Sequence, residues 1–539
     1  MHNVFAKSSP IPTKCESPDY SFYFDLISPL WESCLAEGAI HRLCSLMRKM
    51  GVKTLVEEEL EPNTEISYEF EDLEKQIKTK LIDPKAIRIS FFSCPYNKEW
   101  WTFPPDSFLG YAVILKAKLP DKDSSKDISY ILESVTRPPG WAKDETFKQV
   151  TNYYIHCHKD FLTTIGTKEQ PKDYTIEGVF FCQQNGLTHV CAHAALRMML
   201  NTRQELIGHK ITNRELNDIL KGEFPAEFAA GLFYKGLRPY HMKVIADSFN
   251  LHILPADFLM MATVDYAEWI YPLIESGFPV LLAFYPTHEV GHVVAIFGHT
   301  LNSDKWDCEA HLAYRPEAFG TYHASSAWVD HFIINDDNFG MYTCMPPAYL
   351  RNKLLPQYDQ TQRAAFALAL LPANTDATPY FAEKSSRGLV KNLKKFYKPT
   401  EDNKWLCRLW EQLQQANKGI VARTVICTKD AYIKSLKPYL PAEYSIPEPL
   451  LNCSEDIIVT EISLPDLYTC NKHKLGDVVS DGKTVILNGS KYLRFIWGWL
   501  PGIQIPEEPK ETTIPSEWPI KNHIPLFRHP NTLNPCSEW

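Results

Sequence analysis

The chain has 539 residues and a formal net charge of −9, with 45% hydrophobic and 12% aromatic residues. This hydrophobic content is enough for several packed cores and excludes a generally disordered chain, and the length predicts about two to four domains. No basic block marks a nucleic-acid interface, so nucleic acid is not an expected partner.

Residues 1–170 are predicted to form an N-terminal accessory region that mixes helices and strands. Apolar positions recur at helical spacing over residues 20–60, and Gly51 marks the end of a helix. Residues 86–118 and 128–135 are rich in apolar and β-branched side chains, which predicts strands. The role expected for this region is structural support of the segment that follows.

The segment 171–350 contains three residues that together indicate a reactive thiol. Cys191 ends a polar loop and opens the run CAHAALRMML, whose residues favour a helix. His292 begins the apolar strand candidate HVVAIFG, and Asp336 ends the strand candidate FIIND. A helix N-terminus and an imidazole both favour the thiolate, and a carboxylate can fix the imidazole tautomer. The order therefore predicts a Cys–His–Asp nucleophilic site.

Three amide side chains upstream of the cysteine are candidates for an oxyanion hole. Gln183, Gln184 and Asn185 precede Cys191 by eight, seven and six residues. An amide at this point can act together with the Cys191 backbone N–H on a developing oxyanion. Gln184 is favoured over Gln183 because its spacing is nearer the six residues usual between such a glutamine and its cysteine. Asn185 stays an alternative with a shorter side chain.

Other histidines and a second aspartate compete for two of these roles. His299 ends the same strand candidate as His292, and His288 lies in the turn before it. Strand alternation places His292 and His299 on opposite faces, so His292 is the favoured base. The same alternation makes Asp337 face away from Asp336.

Zinc binding is the alternative interpretation of the cysteine-containing segment. His189, Cys191 and His193 are clustered, and Cys182 is close in sequence. This segment contains neither a CxxC pair nor an HExxH motif. We therefore expect no metal site here, and no other cofactor is expected.

The motifs of residues 175–345 resemble those of the C39-type (bacteriocin-processing) family of papain-like cysteine peptidases. The matching elements are Gln184, the helix from Cys191, the run GHVVAIFG from Gly291 to Gly298, and IINDDNFG with Asp336. The resemblance implies a papain-like α/β (α+β) core with Cys191 as nucleophile and His292 as base and then acid. It also implies that Asp336 orients His292 and that Gln184 binds the oxyanion.

The resemblance implies a thiol protease that cleaves a peptide or isopeptide bond through a thioester, with a protein or peptide as substrate. Two alternatives remain open. The same site could transfer the acyl group to an amine, or the scaffold could be a binding module without catalysis. The large flanking regions leave room for a regulatory partner protein.

The remainder of the chain is predicted to be a C-terminal accessory region over residues 351–500 and a tail over residues 501–539. Strand candidates lie at residues 364–373 and from residue 420 onward, and residues 383–417 favour a helix. The tail is rich in proline, so we expect it to run extended over the surface.

Composition also suggests a compartment. The first twenty residues lack the apolar core of a signal peptide, and no apolar run reaches membrane-spanning length. The fourteen cysteines follow no regular spacing, as is typical of free thiols in a reducing compartment. The expectation is a cytoplasmic protein with no membrane partner.

Overall fold

A computed structural model describes most of the chain and mixes helices with strands along its length, which confirms the α+β class. The described residues are 4–15, 37–120, 126–139, 153–261, 263–285, 291–301, 322–350, 363–372, 378–396, 420–439, 448–465, 467–468, 473–474, 476–481, 493–497, 524–530 and 532. Within these ranges, no helix combines the length and apolar character needed to cross a membrane.

The strands and α-helices are labelled in chain order. The strands are β1 Ile11–Lys14, β2 Thr54–Glu59, β3 Ile82–Phe92, β4 Phe108–Leu119, β5 Lys126–Thr136, β6 Tyr153–Ile155, β7 Lys159–Ile165, β8 Lys172–Phe181, β9 Leu251–Asp257, β10 Val280–Tyr285, β11 His292–Leu301, β12 Tyr322–Ala324, β13 Val329–Asp336, β14 Gly340–Met345, β15 Arg363–Pro372, β16 Ile420–Thr428, β17 Asp456–Ser463, β18 His473–Lys474, β19 Gly476–Asp481, β20 Leu493–Trp497 and β21 Ile524–Pro525. The helices are α1 Glu37–Lys49, α2 Thr64–Ile77, α3 Cys191–Thr202, α4 Gln204–Ile207, α5 Asn213–Glu223, α6 Pro225–Ala229, α7 Pro239–Ser248, α8 Tyr266–Glu275, α9 Pro379–Phe396, α10 Lys429–Leu436 and α11 Glu448–Leu451.

The first sheet is antiparallel and has the strand order β1-β2-β3-β4-β5-β8-β7. The strands expected at residues 86–118 and 128–135 are confirmed as β3, β4 and β5. Helix α1 ends just before Gly51, which has a φ of 76°, so the helix end predicted there is confirmed. The helix expected over residues 20–60 is wrong for residues 54–59, which form β2; residues 20–36 lie outside the described residues.

The second sheet carries the strand order β14-β13-β11-β10-β15-β9, with β6 also paired to β11. All of these pairs are antiparallel. Helix α3 packs between the two sheets, against β8 on one side and β10, β11 and β13 on the other. Every residue of α3 after Cys191 is buried, so the helix is held rigidly with only its first residue near a surface.

Both expected boundaries of the central region fall inside a sheet. Strand β8 lies beyond residue 170 but belongs to the first sheet, where it pairs with β5 and β7. Strand β15 lies beyond residue 350 but pairs between β9 and β10 in the second sheet. The boundaries at 170 and 350 were therefore wrong, because the composition of a strand does not identify the strands that pair with it.

The third sheet has the strand order β12-β16-β17-β19-β20 and confirms strands in the C-terminal accessory region. Its first pair, β12 with β16, is parallel, and the other pairs are antiparallel. The predicted helix near residue 383 is confirmed as α9, and the residues between 397 and 417 lie outside the described ranges.

The described part of the tail does not lie wholly on the surface. Strand β21 pairs with β18, and the next two residues, Leu526 and Phe527, are buried. The expectation of an extended surface tail is therefore wrong for Leu526 and Phe527. Phe527 packs in the core of the third sheet, and Leu526 packs with Tyr154, Trp328 and Val421. The remainder of 501–539, apart from residue 532, lies outside the described residues.

Candidate active site

Cys191 is the first residue of α3, as predicted. The loop before it is folded by Asn185, whose Oδ1 accepts hydrogen bonds from the backbone N–H groups of Leu187 and Thr188, both at 2.9 Å. The Asn185 amide donates to the Thr188 hydroxyl at 2.7 Å. Asn185 is thus occupied in an Asx-type turn that brings the chain to the helix start, and it is unsuited to an oxyanion hole.

Cys191 differs from most other described thiols in its exposure. Six of the nine described cysteines are buried, whereas Cys94, Cys191 and Cys344 are at least partly exposed. Burial raises the pKa of Cys44 and of Cys182 to about 12. Such thiols are inert at neutral pH, so the described candidates for a reactive thiol narrow to three.

His292 stands at the start of β11 and links the cysteine to a carboxylate. Its Nε2 lies 3.1 Å from Asp336 Oδ2, and the Cys191 thiol lies close enough to the ring to help raise its pKa. Because Asp336 occupies Nε2, Nδ1 is the nitrogen left for the thiol. Asp336 Oδ1 accepts from the N–H groups of Asn338 at 2.8 Å and Phe339 at 3.2 Å, which fixes the carboxylate.

The surroundings of His292 favour its protonated form. Burial opposes a charged ring, but the hydrogen bonds to Asp336 and Cys191 and the charges of Asp336 and Asp337 outweigh it. Together they raise the pKa of His292 from 6.5 to about 10. The ring therefore carries a positive charge at neutral pH beside a thiol at a helix N-terminus, which is the environment that stabilises a thiolate.

Asp337 does not point away from the site as strand alternation predicted. Its Oδ1 lies 3.8 Å from His292 Nε2, and its side chain is only 1% exposed. Strand β13 ends at Asp336 and its pairing with β14 is irregular between Ile334 and Asp336, so alternation fails there. Burial raises the pKa of Asp337 to about 7. Within the described structure, neither of its carboxylate oxygens has a hydrogen-bond partner.

The two glutamines upstream of the cysteine have different surroundings. Gln183 is buried; its Oε1 accepts from the Ile131 N–H at 3.0 Å, and its amide donates to the Asp337 carbonyl at 3.1 Å. Gln184 is partly exposed, and its amide makes one long hydrogen bond of 3.4 Å to Asn338 Oδ1. Gln184 is therefore the amide that remains available beside the loop after Asp336. Its role in an oxyanion hole stays a prediction.

The rival base His299 lies elsewhere. It is fully buried, and its Nε2 is 3.0 Å from Glu275 Oε1 at the end of α8. Helix α8 packs on the face of the sheet that holds Val294 and Ile296. Because His299 contacts Glu275 of α8, it lies on this same face, and the predicted opposite face is wrong. The register of β11 shifts between Ile296 and Gly298, which reverses the alternation. His288 lies outside the described residues.

The zinc site considered for the cysteine-containing segment is not assembled. The residues around Cys191 have separate partners instead. His189 lies 3.5 Å from Glu69 Oε2, and His193 accepts a hydrogen bond from the Val190 N–H at 3.5 Å. The Cys182 thiol lies 3.6 Å from the Ala194 carbonyl oxygen. Among the described residues, two other groups have ligand atoms close enough to hold an ion: His292 with Asp336 and Asp337, and His156 with Glu275 and His299.

The N-terminal region contacts the loop that carries Asp336. A Cβ added at Gly38, in the first turn of α1, would overlap the Asn338 carbonyl oxygen. Arg42 donates from Nε to the Met341 carbonyl at 3.1 Å, and its Cβ would lie 2.7 Å from a Cβ added at Gly340. Helix α1 thus packs directly against the loop after Asp336, so the N-terminal region contacts the candidate site itself.

Several aromatic side chains near the site were not predicted from the sequence. The ring of Phe284 on β10 meets the His292 ring edge to face, with centroids 5.6 Å apart. Tyr349 packs against Phe284 at 6.3 Å and is partly exposed, and Phe339 is 65% exposed beside Asp336. The pairing of Phe284 with His292 across β10 and β11 brings them together, and no local pattern in the sequence signals it.

Comparisons with protein-family models, with curated proteins and with solved structures each find no match for this chain.

Proposed function

We propose that this protein is a cysteine hydrolase with a papain-like core that cleaves a peptide or isopeptide bond. The observation that carries the proposal is the chain of contacts from the Cys191 thiol to His292 and from His292 Nε2 to Asp336 Oδ2 at 3.1 Å. The three residues come from a helix start, a strand start and a strand end, far apart in sequence. Buried helix α3 on an antiparallel sheet is the architecture in which such a site is expected from the resemblance.

The proposed reaction follows from the positions of these groups. The Cys191 thiolate attacks the substrate carbonyl carbon, and the carbonyl oxygen becomes an oxyanion held by the Cys191 N–H and the Gln184 amide. His292 donates its proton to the leaving amine, which departs as the thioester forms. Neutral His292 then takes a proton from water, and the resulting attack releases the acid and restores the thiol.

Asp336 has a positioning role in this reaction. It keeps the His292 Nε2–H engaged, so Nδ1 faces the thiol and the substrate, and it stabilises the imidazolium. Tyr349 and Phe339 offer exposed apolar surface beside the site, which favours a substrate with an apolar side chain near the scissile bond.

The test is thiol labelling of the full-length chain at about pH 6, where an ordinary thiol is largely protonated. Iodoacetamide is the reagent, and peptide mass spectrometry maps the modified cysteine. Cys191 should be alkylated first, and Cys191→Ala should lose this modification. Cys344 is the matched control because its side chain is accessible to the reagent, while partial desolvation by its neighbours raises its pKa, so it should stay unmodified.

A second arm identifies the reaction. A peptide library is incubated with the protein in ¹⁸O-labelled water, with and without added amines. A product acid carrying ¹⁸O supports hydrolysis, and an amide formed with the added amine supports acyl transfer. Absence of low-pH labelling at Cys191 would overturn the proposed nucleophile and favour a binding module.

A further inference from the structure

A second cluster of potential metal ligands lies at the other end of β11 from His292. His299 Nε2 is 3.0 Å from His156 Nε2 and 3.0 Å from Glu275 Oε1, and His156 Nε2 is 3.9 Å from Glu275 Oε2. The three residues come from the segment after β6, the end of α8 and β11, and each is buried. His292 and His299 are seven residues apart, about 23 Å along a strand, so the cluster is separate from the proposed active site.

Both ring nitrogens of His299 face polar atoms. His299 Nδ1 lies 3.3 Å from the Thr300 carbonyl oxygen, a neighbour that favours a proton on Nδ1. With the proton there, His299 Nε2 presents a lone pair towards Glu275 Oε1 and His156 Nε2, and a cation between these atoms would accept it. With the proton on Nε2, the ring donates to Glu275 Oε1 and the contact with Thr300 is lost. The first tautomer is the one that a metal site needs.

A metal ion satisfies every polar atom of the cluster. Both Nε2 lone pairs and the carboxylate would face the ion, and both Nδ1–H groups have acceptors. His299 Nδ1 is directed to the Thr300 carbonyl, and His156 Nδ1 lies 3.1 Å from Thr532 Oγ1. Metal-binding histidines commonly donate their second N–H to such partners. In a tetrahedral site with bonds of about 2.0–2.1 Å, neighbouring ligand atoms lie about 3.3 Å apart, close to the two separations of 3.0 Å observed here.

The carboxylate is held in place by two further groups. The Tyr271 hydroxyl donates to Glu275 Oε1 at 2.6 Å, and the Arg423 guanidinium donates to Glu275 Oε2 at 2.5 Å. Arg423 also pairs with Glu461, which has Lys474 as a second cation at 2.8 Å. Glu275 Oε1 is the carboxylate oxygen on the side of His299.

We propose that His156, Glu275 and His299 bind one structural divalent transition-metal ion, with zinc as the favoured ion. Two imidazoles and one carboxylate are a ligand set that suits zinc, and the complete burial of all three residues leaves no route for a substrate. The ion would connect β11 to α8 and, through Thr532 and Arg423, to the C-terminal tail and the third sheet. The proposal is independent of the proposed hydrolase activity.

The test uses the full-length protein, stripped with a chelator and reloaded with Zn²⁺. Bound metal is counted by mass spectrometry, and Tm is measured before and after loading. We expect about one zinc per chain and a Tm that rises by several degrees on loading. His156→Gln and His299→Gln should each lose the ion.

Two control variants distinguish this site from the other histidine–carboxylate contacts of the molecule. His241→Gln removes another buried histidine that contacts a carboxylate, Glu227 at 3.1 Å, and should keep the ion. His292→Ala removes the other three-residue group and should also keep it. Loss of zinc in His292→Ala with retention in His299→Gln would place the ion at the active site and overturn the proposal.

Wild-type measurements decide the question if the glutamine variants fail to fold. X-ray absorption at the zinc edge should show two imidazole ligands with oxygen and no sulfur. A single imidazole, or a sulfur ligand, would contradict the proposed site. Absence of bound zinc and an unchanged Tm would also overturn it.

Discussion

Strand β11 carries two histidines that each face a carboxylate, yet the two sites differ in nearly everything else. His292 is 12% exposed and has a thiol as its second neighbour, whereas His299 is fully buried and has a second imidazole there. Their carboxylate partners lie at almost the same distance, 3.1 Å for Asp336 and 3.0 Å for Glu275. A histidine–carboxylate pair is therefore common to both sites and does not by itself indicate catalysis.

The two sites differ in solvent access and in the group that lies beside the histidine–carboxylate pair. A substrate can approach only the pair at the edge of the fold, where the helix N-terminus also places a nucleophile. In the buried pair, Glu275 also contacts Arg423, so this pair joins β11 and α8 to the third sheet.

The largest effect is expected from the base. His292→Ala should lower turnover by about 10⁴-fold or more and abolish low-pH labelling of Cys191, because both the imidazolium and the general acid are lost. His299→Gln, assayed below its own Tm, should keep most of the labelling. The labelling rate at about pH 6 is the measurement. The reverse result would make His299 the base.

The charge on His292 also predicts a pH dependence of stability. Its pKa is about 10 in the folded protein against 6.5 ordinarily, so the folded state binds the proton more tightly. This contribution to the free energy of unfolding is full below about pH 6.5 and disappears as the pH rises towards 10. The Tm difference between wild type and His292→Ala should therefore shrink from pH 6 to pH 10. A constant difference would contradict the assigned imidazolium.

A smaller effect is expected from the positioning residue. Asp336→Ala should lower turnover by roughly 100- to 1,000-fold, less than loss of the base, because Asp336 acts on the substrate only through His292. Asp336→Asn keeps an oxygen that accepts the Nε2–H and should be milder. Turnover is compared for variants with unchanged Tm. Wild-type activity in Asp336→Ala would remove Asp336 from the site.

The two glutamines should separate catalysis from stability. Gln184→Ala should reduce turnover by about 100-fold with little change in Tm, since its amide is partly exposed and available for the oxyanion. Gln183→Ala should lower Tm, because it leaves the Ile131 N–H and the Asp337 carbonyl without their partner. An exchange of these two phenotypes would transfer the oxyanion role to Gln183.

The smallest effect on activity, and a gain in stability, is expected at Asp337. Its pKa is about 7 when folded and 3.8 ordinarily, so the folded state binds more protons between these values and stability falls as the pH rises through this window. Asp337→Asn removes the buried charge and should raise the free energy of unfolding at pH 8 by about 1–3 kcal/mol. Denaturant melts at pH 5 and pH 8 are the measurement.

A loss of stability in Asp337→Asn, or a turnover loss as large as that of Asp336→Ala, would contradict this assignment. It would then be the carboxylate 3.8 Å from His292 Nε2, and not the one at 3.1 Å, that orients the ring.

Local pattern in the sequence determined which element carries each candidate residue. The helix that starts at Cys191, the strand that starts at His292 and the strand that ends at Asp336 all lie where predicted. Helix propensity and apolar runs act over a few residues, so a single sequence contains this information. The same patterns predicted β3, β4 and β5 of the first sheet and strands of the third sheet from residue 420 onward.

Only the tertiary structure decided how these elements meet. Strands β8 and β15 joined sheets that their position in the chain did not indicate, because pairing depends on distant partners. Irregular register in β11 and at the end of β13 turned His299 and Asp337 to faces that alternation excludes. His156, Glu275 and Phe284 acquired their neighbours from segments far away in sequence, since packing and hydrogen bonding are set by contact in space and not by order along the chain.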